Sequence, residues 1–171
     1  MNILLNGLMC SGKSTIGRLI ADKLNYKFIE QNELVLINTG YSTIDEVYSD
    51  RYTLWLESEI EVSRELSKYD NQVIACCGDF VENLINIKYF QESSSDYLII
   101  LLDAPIEILT ERVLKNRISI SAIDQEKIKR NFSKLFRERD SIYRSSANHI
   151  IDASGSPQET IKRIISIFDK K

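Results

Sequence analysis

The residues best suited to chemistry stand near the start of the chain. Residues 7–15 read GLMCSGKST, which fits the phosphate-loop pattern G-x-x-x-x-G-K-[ST] at every fixed position. Glycines let backbone N–H groups turn toward phosphate oxygens, the lysine reaches the β- and γ-phosphates, and the next hydroxyl can ligate Mg²⁺. We therefore predict a nucleotide-phosphate site, with Ser14 as the metal ligand, made by Gly7, Cys10, Ser11, Gly12, Lys13, Ser14 and Thr15.

Such a loop binds phosphate only between a strand and a helix, and the sequence indicates both. A short apolar strand is predicted at Asn2–Asn6, directly before the loop. Apolar residues then recur at helical spacing, at Ile16, Leu19, Ile20 and Leu24. A helix that begins at the loop adds unpaired N–H donors and the positive end of its dipole.

Strand-like and helix-like segments alternate along the rest of the chain. Further strands are predicted at 27–30, 72–76, 97–102 and 149–152, and the continuous apolar runs in the second and third are typical of parallel strands buried on both faces. Helices are predicted at 50–68, 105–115, 124–145 and 157–168, with Trp55 and Tyr69 on a buried stripe of the first. This alternation indicates an α/β fold, a three-layer sandwich.

Composition limits the class of protein. A chain of 171 residues is the size of one domain, so we expect a single domain over 1–171. The net charge of −3 argues against a partner that is a nucleic-acid polymer. No apolar run approaches the roughly 20 residues of a membrane span, and the N-terminus does not read as a secretory signal. Three cysteines without metal-site spacing indicate reduced thiols, and we expect a cytoplasmic protein, either a monomer or a small homo-oligomer.

The motifs taken together resemble the shikimate kinase family of small P-loop kinases. Residues 7–15 and Gly17 follow that family's loop and first helix, and residues 40–47 look like its segment after the second strand. Arg139, with Tyr143 and Ala147 after it, is similar to its R-x-x-x-Y-x-x-x-A helix. The resemblance implies a five-stranded parallel sheet, ATP–Mg²⁺ as phosphate donor, a small hydroxylated acceptor and a mobile lid, here short and near 116–124.

The resemblance also implies roles for residues outside the loop. Arg112 falls where the family places an arginine against adenine, and Pro157 falls in the loop beside the adenine. Arg117 falls where a lid arginine meets the phosphates. Arg139 falls where an arginine holds the carboxylate of the acceptor; within the run 137–140 it could instead belong to an ion-paired surface.

The departures from the family fall on the acceptor side. The family's D-x-D reads Glu30-Gln31-Asn32, and the arginine of its F-R-x-x-E is replaced by Leu56. Its T-G-G-G reads 76–79, so a glycine remains only at Gly78 and a carboxylate is added at Asp79. We therefore expect Glu30, Asn32, Gly78 and Arg139 to bind the acceptor, and we expect that the acceptor differs from shikimate.

A carboxylate should meet the acceptor hydroxyl, and two follow predicted strand ends. Asp79 and Glu30 are the candidates, because open α/β sheets place their sites at the carboxyl ends of strands. We predict catalytic roles for Lys13, Asp79 and Arg117. Asp79 could instead cap a helix that begins near Phe80, and Asp103 is expected to cap the helix at 105–115.

The sequence therefore predicts an ATP-dependent kinase that moves the γ-phosphate to a small hydroxylated metabolite. One alternative is a nucleoside monophosphate kinase-like enzyme, in which Arg51, Arg64 or Arg139 would hold an acceptor phosphate. The other is a regulatory protein that binds nucleotide without catalysis, since drift at catalytic positions is what lost function looks like.

Overall fold

A computed structural model describes residues 1–116 and 122–168. Five parallel strands form one sheet in the order β2-β3-β1-β4-β5. The strands are β1 (Asn2–Asn6), β2 (Lys27–Glu30), β3 (Gln72–Ala75), β4 (Tyr97–Asp103) and β5 (His149–Asp152). The predicted α/β class and the predicted five-stranded parallel sheet are confirmed, and each predicted strand is present within one residue of its bounds.

The described residues form eight helices around this sheet. They are α1 (Lys13–Leu24), α2 (Gln31–Thr39), α3 (Ile44–Asp50), α4 (Tyr52–Leu66), α5 (Leu84–Gln91), α6 (Ile106–Lys115), α7 (Ala122–Ser146) and α8 (Pro157–Phe168). Of the predicted lid at 116–124, Asn116 caps the end of α6 and residues 122–124 begin α7, while 117–121 lie outside the described residues. No helix in the described ranges is long and apolar enough to cross a bilayer.

Both faces of the sheet are buried, which explains the continuous apolar runs. Ile3 and Leu5 of β1 pack with Ile16 and Ile20 of α1 in one cluster, which also includes residues of α8. Leu4 of the same strand belongs to the opposite cluster, which the helices of the other face cover. Because successive side chains of a strand point to opposite faces of the sheet, each strand contributes to two hydrophobic layers.

The prediction of one helix at 50–68 is wrong about where the helix begins and about the burial of Tyr69. The helix is interrupted at Arg51, which separates α3 from α4. Thr43 caps the start of α3 and forms a capping box with Glu46. Trp55 is buried as expected. Tyr69 is 61% exposed, because α4 ends at Leu66 and the chain turns away before it reaches Tyr69.

Neither predicted carboxylate cap is found. The helix after Asp79 begins only at Leu84, where the Asn83 side chain accepts a hydrogen bond from the Ile85 N–H at 3.2 Å. At α6 the cap position is Pro105, and the Asp103 carboxylate instead accepts a hydrogen bond from Arg144 of α7 at 2.9 Å. Asp79 and Asp103 therefore connect to other parts of the fold.

Candidate active site

One cavity of about 1100 Å³ opens at the carboxyl ends of the strands. Twelve of the residues predicted to form the site line it, and these are Cys10, Ser11, Gly12, Lys13, Ser14, Thr15, Glu30, Asn32, Gly78, Arg112, Arg139 and Pro157. Gly7 and Asp79 lie outside the lining, and Arg117 lies outside the described residues. We call the part next to the loops after β1, β4 and β5 the donor end. The part next to β2, β3, α3 and α7 is the acceptor end.

The phosphate loop at the donor end is shaped by three residues with positive φ. Gly7, Cys10 and Gly12 have φ of 137°, 61° and 101°. A Cβ on Gly7 would lie 2.8 Å from the carbonyl oxygen of Leu102 on the neighbouring strand. Only glycine meets both demands at position 7, so Gly7 shapes the loop from behind without facing the cavity.

Lys13 and the first turn of α1 supply the positive charge of this loop. The Lys13 ammonium donates to the carbonyls of Gly7 at 2.6 Å and Leu8 at 3.1 Å, and desolvation by burial lowers the pKa of Lys13. No side chain caps α1 at Gly12, so the N–H groups of its first turn are free to bind an anion. Ser14 is exposed in this turn and lines the cavity.

Arg112 connects the phosphate loop to the loop after β5. Its guanidinium donates to the carbonyl of Cys10 at 3.4 Å and to those of Ala153 and Ser154 at 2.9 and 3.1 Å. These bonds bring the Pro157 loop and the phosphate loop together around one end of the cavity. Arg112 is therefore held in place by backbone, which is the arrangement that a flat, stacking guanidinium needs.

Side chains rather than backbone form the acceptor end. Glu30 ends β2, Asn32 lies in the first turn of α2, and Gly78 follows β3. Tyr48 of α3 and Trp55 of α4 complete this wall, and sequence reasoning assigned neither of them to the site. Tyr48 lies within α3 and belongs to no motif, so no signal in the sequence marked it.

Asp79 is buried behind this wall and does not face the cavity. It is 2% exposed, and its Oδ2 accepts hydrogen bonds from the Tyr48 hydroxyl and from Trp55 Nε1, the latter at 3.2 Å. The prediction that Asp79 meets the acceptor hydroxyl directly therefore does not fit this geometry, because Tyr48 stands between. Of the two candidate carboxylates, Glu30 is the one that lines the cavity.

A second buried carboxyl group lies beside Asp79. Glu59 is fully buried, its Oε2 accepts from Asn86 Nδ2 at 3.0 Å, and its carboxyl oxygen, Cys77 Sγ and an Asp79 oxygen lie within 4.8 Å of one another. Burial first, then the charge of Asp79, raises the pKa of Glu59 to about 8. In the described residues Glu59 Oε1 and Asp79 Oδ1 have no other partner, and one proton shared between the two groups would satisfy both.

Arg139 also has a carboxylate partner that sequence reasoning missed. Its Nε forms an ion pair with Glu82, which lies in the turn after β3. The Tyr143 hydroxyl donates to the carbonyl of Gly78, and a Cβ on Gly78 would lie 3.2 Å from Arg139 Nη1. Arg139 thus belongs to the cavity wall rather than to an ion-paired outer surface. Arg51 and Arg64 do not line the cavity, and Arg64 pairs with Glu61 on the surface.

A phosphate loop at the carboxyl end of the central strand of a parallel five-stranded sheet, facing a polar acceptor end across one cavity, defines a P-loop phosphotransferase. The family model described as shikimate kinase matches residues 9–169. The chain therefore belongs to the shikimate kinase family. Its predicted class, a small-molecule kinase with an alcohol group as acceptor, is confirmed by this membership.

Individual relatives agree with the family model. The shikimate kinase of Clostridium botulinum is 31% identical over 166 residues, which cover 97% of this chain and 96% of that protein. The crystal structure of shikimate kinase from Aquifex aeolicus is 28% identical, with a TM-score of 0.79 over 99% of this chain and 96% of that one. A shikimate kinase from Acinetobacter baumannii in complex with shikimate shares the fold, with a TM-score of 0.81 at 24% identity, over 99% of this chain and 93% of that one.

Proposed function

We propose that the protein transfers the γ-phosphate of ATP to a hydroxyl group of a small acceptor that differs from shikimate. The observation that carries this proposal is that one cavity joins the phosphate loop to Glu30, Asn32 and Arg139. Phosphoryl transfer passes through a loose transition state, so it depends on positioning and charge neutralisation more than on covalent chemistry. A donor and an acceptor site that share one cavity supply that positioning.

At the donor end, the contacts support the following roles. Lys13 leaves the carbonyls of Gly7 and Leu8 to contact the transferred phosphoryl group, and the N–H groups at the start of α1 bind the neighbouring phosphate oxygens. Arg112 and Pro157 bind the base at the edge that the loop after β5 forms. Arg117 would add a further positive charge; as a lid arginine it stays a prediction.

The oxygen donors around the loop suit Mg²⁺. Ser14 is exposed to the cavity at the start of α1, and Glu30 lines the same cavity. The Ser14 hydroxyl is the kind of hard oxygen ligand that Mg²⁺ prefers. When bound, the ion neutralises charge on the phosphates. Ser14 is thus proposed as its protein ligand.

At the acceptor end, Glu30 is the carboxylate that receives the proton of the reacting hydroxyl. Asn32 and Arg139 orient the acceptor, and Gly78 leaves room for it against the backbone. Asp79 acts one step away by fixing the Tyr48 hydroxyl. Leu56 packs against the core cluster, so no cation stands at that position.

ATP consumption against an acceptor panel tests the proposal. The panel contains shikimate, neutral polyols and sugars, and AMP, CMP and UMP, each assayed with wild type and with Lys13→Ala. We expect turnover with a polyhydroxylated acceptor that depends on Lys13. Phosphorylation of a nucleotide would instead select the nucleoside monophosphate kinase alternative, and ATP binding without any Lys13-dependent turnover would select the regulatory one.

A matched variant tests whether a loss of turnover comes only from unfolding. Lys23→Ala removes a lysine from the last turn of the same helix, where the side chain is exposed. We expect Lys23→Ala to retain full turnover, while Lys13→Ala loses roughly two to three orders of magnitude in kcat. Shikimate turnover at rates typical of kinases would show that the proposed change of acceptor is wrong.

We further propose that the reaction takes place in the cytoplasm and that the protein is a monomer or a small homo-oligomer. The three cysteines are free in the described residues, and two of them are buried, which suits a reducing compartment. Size-exclusion chromatography with light scattering tests the oligomeric state.

A further inference from the structure

Arg139 is the one cation that the described residues place at the acceptor end of the cavity. Its side chain is 16% exposed and projects from α7 beside Gly78. A buried arginine facing a small-molecule site would ordinarily recognise a carboxylate or a phosphate. What Arg139 can bind depends on whether another group already satisfies it.

Glu82 pairs with Arg139 from within the chain, at Nε. The ion pair joins the turn after β3 to α7, and two further contacts hold this turn in place. The Glu82 N–H donates to the carbonyl of Asp79 at 2.9 Å, and the Tyr143 hydroxyl donates to the carbonyl of Gly78. The fold thus holds the Glu82 side of the pair against α7.

The remaining charge at the acceptor end is negative. Glu82 offsets the charge of Arg139 from outside the lining, and Glu30 and Asp45 are the acidic residues among the described lining of this end. Asn32 is neutral, and Leu56 packs into the core instead of adding a cation. A carboxylate acceptor would meet an Arg139 whose charge Glu82 already offsets, and it would also face two further negative charges.

We infer that Glu82 determines the class of acceptor: by neutralising Arg139 it selects an uncharged polyhydroxylated compound over a carboxylate. This inference rests on the proposed function. Hydroxyl groups suit the site because they donate charge-assisted hydrogen bonds to Glu30 and accept from the Asn32 amide. Glu82 acts through Arg139, so it is a positioning residue.

A matched pair of acceptors tests this inference. The probes are shikimate and its carboxamide, which differ by one negative charge, and the measurement is the dissociation constant of each in the presence of a non-hydrolysable ATP analogue. We expect wild type to bind the carboxamide at least as tightly as shikimate. Glu82→Gln should tighten shikimate about tenfold and leave the carboxamide within about twofold.

Two further variants make the outcome decisive. Glu138→Gln removes an exposed carboxylate of α7 that lies outside the cavity lining, and it should change neither dissociation constant. Glu82→Ala removes the carboxylate by truncating the side chain instead of replacing it with an isosteric amide. It should shift the preference between shikimate and its carboxamide in the same direction as Glu82→Gln. Unchanged affinity of ATP shows that each variant is folded.

The inference is overturned if wild type binds shikimate more tightly than the carboxamide, or if neither Glu82 variant gains affinity for shikimate. These outcomes concern binding of the acceptor alone. Failure of the proposed function would appear instead as ATP consumption that does not depend on Lys13.

Discussion

The two ends of the cavity are formed by different parts of the polypeptide: mainly backbone at the donor end and mainly side chains at the acceptor end. At the donor end, backbone N–H groups, positive-φ residues and the start of α1 create the site, with Lys13 as the main side chain. At the acceptor end, side chains from four separate helices and two strand ends meet, and Tyr48 of this wall connects to a buried carboxyl pair, Asp79 and Glu59, beneath it. The first kind of site is local in the sequence, and the second is not.

The largest effect should come from the backbone of the donor end. Gly7→Ala places a Cβ 2.8 Å from a carbonyl oxygen at a φ of 137°, so we expect a loss of about 3 kcal/mol or more in the free energy of unfolding and weaker binding of ATP. Chemical denaturation and ATP titration measure the two losses.

Gly40→Ala is the matched control, because it adds the backbone strain of a positive φ without a steric clash. Gly40 also has a positive φ of 74°, but no atom lies within 4 Å of its would-be Cβ. It should cost only about 1 kcal/mol and leave ATP affinity unchanged. Equal losses in the two variants would show that the contact with Leu102 does not matter.

The next effect should come from the buried carboxyl pair of the acceptor end. The pKa of Glu59 is raised to about 8, so the folded protein holds a proton that the unfolded chain releases above its ordinary carboxyl pKa. Stability should therefore fall as pH rises from 5 to 8, by up to about 1.4 kcal/mol per pH unit. Glu59→Gln should remove this slope and be the more stable protein at pH 8.

Urea denaturation across this pH range measures the slope. Glu57→Gln changes an exposed residue of the same helix and should retain the slope of wild type. A Glu59→Gln protein that loses stability with rising pH as steeply as wild type would contradict a shared proton.

These differences explain how far the sequence could predict the molecule. The phosphate loop was predictable because its motif is contiguous and each position has a local backbone reason. The strands were predictable because β3 and β4 are buried on both faces and therefore read as unbroken apolar runs. Tyr69 was mistaken for core because helical spacing continued past Leu66, where the chain leaves the helix.

The acceptor end was less predictable, because its contacts join residues far apart in sequence. Tyr48 meets Asp79 across 31 residues, and Arg139 meets Glu82 across a longer gap. No local pattern encodes such pairs. The sequence could identify Asp79 as chemically important, but it could not predict that Tyr48 and Trp55 would cover it.

A smaller effect should follow from the contact between Tyr48 and Asp79. Tyr48→Phe removes the hydroxyl that donates to the carboxylate, leaving a buried charge with one donor fewer. We expect a loss of about 1–2 kcal/mol in stability and a higher KM for the acceptor, with the KM for ATP unchanged. Tyr52→Phe, on the exposed neighbour whose ring lies tilted against that of Tyr48, is the control and should change little. An increase in the KM for ATP would show that the two ends are coupled.

The smallest effect should come from Gly78→Ala, which is the acceptor-end counterpart of Gly7→Ala. Here the new Cβ would lie 3.2 Å from Arg139 Nη1, the far end of a flexible side chain, so Arg139 can move by a few tenths of an ångström. We expect stability within about 1 kcal/mol of wild type and a KM for the acceptor raised about threefold, measured by steady-state kinetics at saturating ATP. The same chemical change, one added methyl group, should thus disrupt the fold at the donor end and only retune affinity at the acceptor end. A Gly78→Ala protein as unstable as Gly7→Ala would mean that the acceptor end, too, is fixed by its backbone.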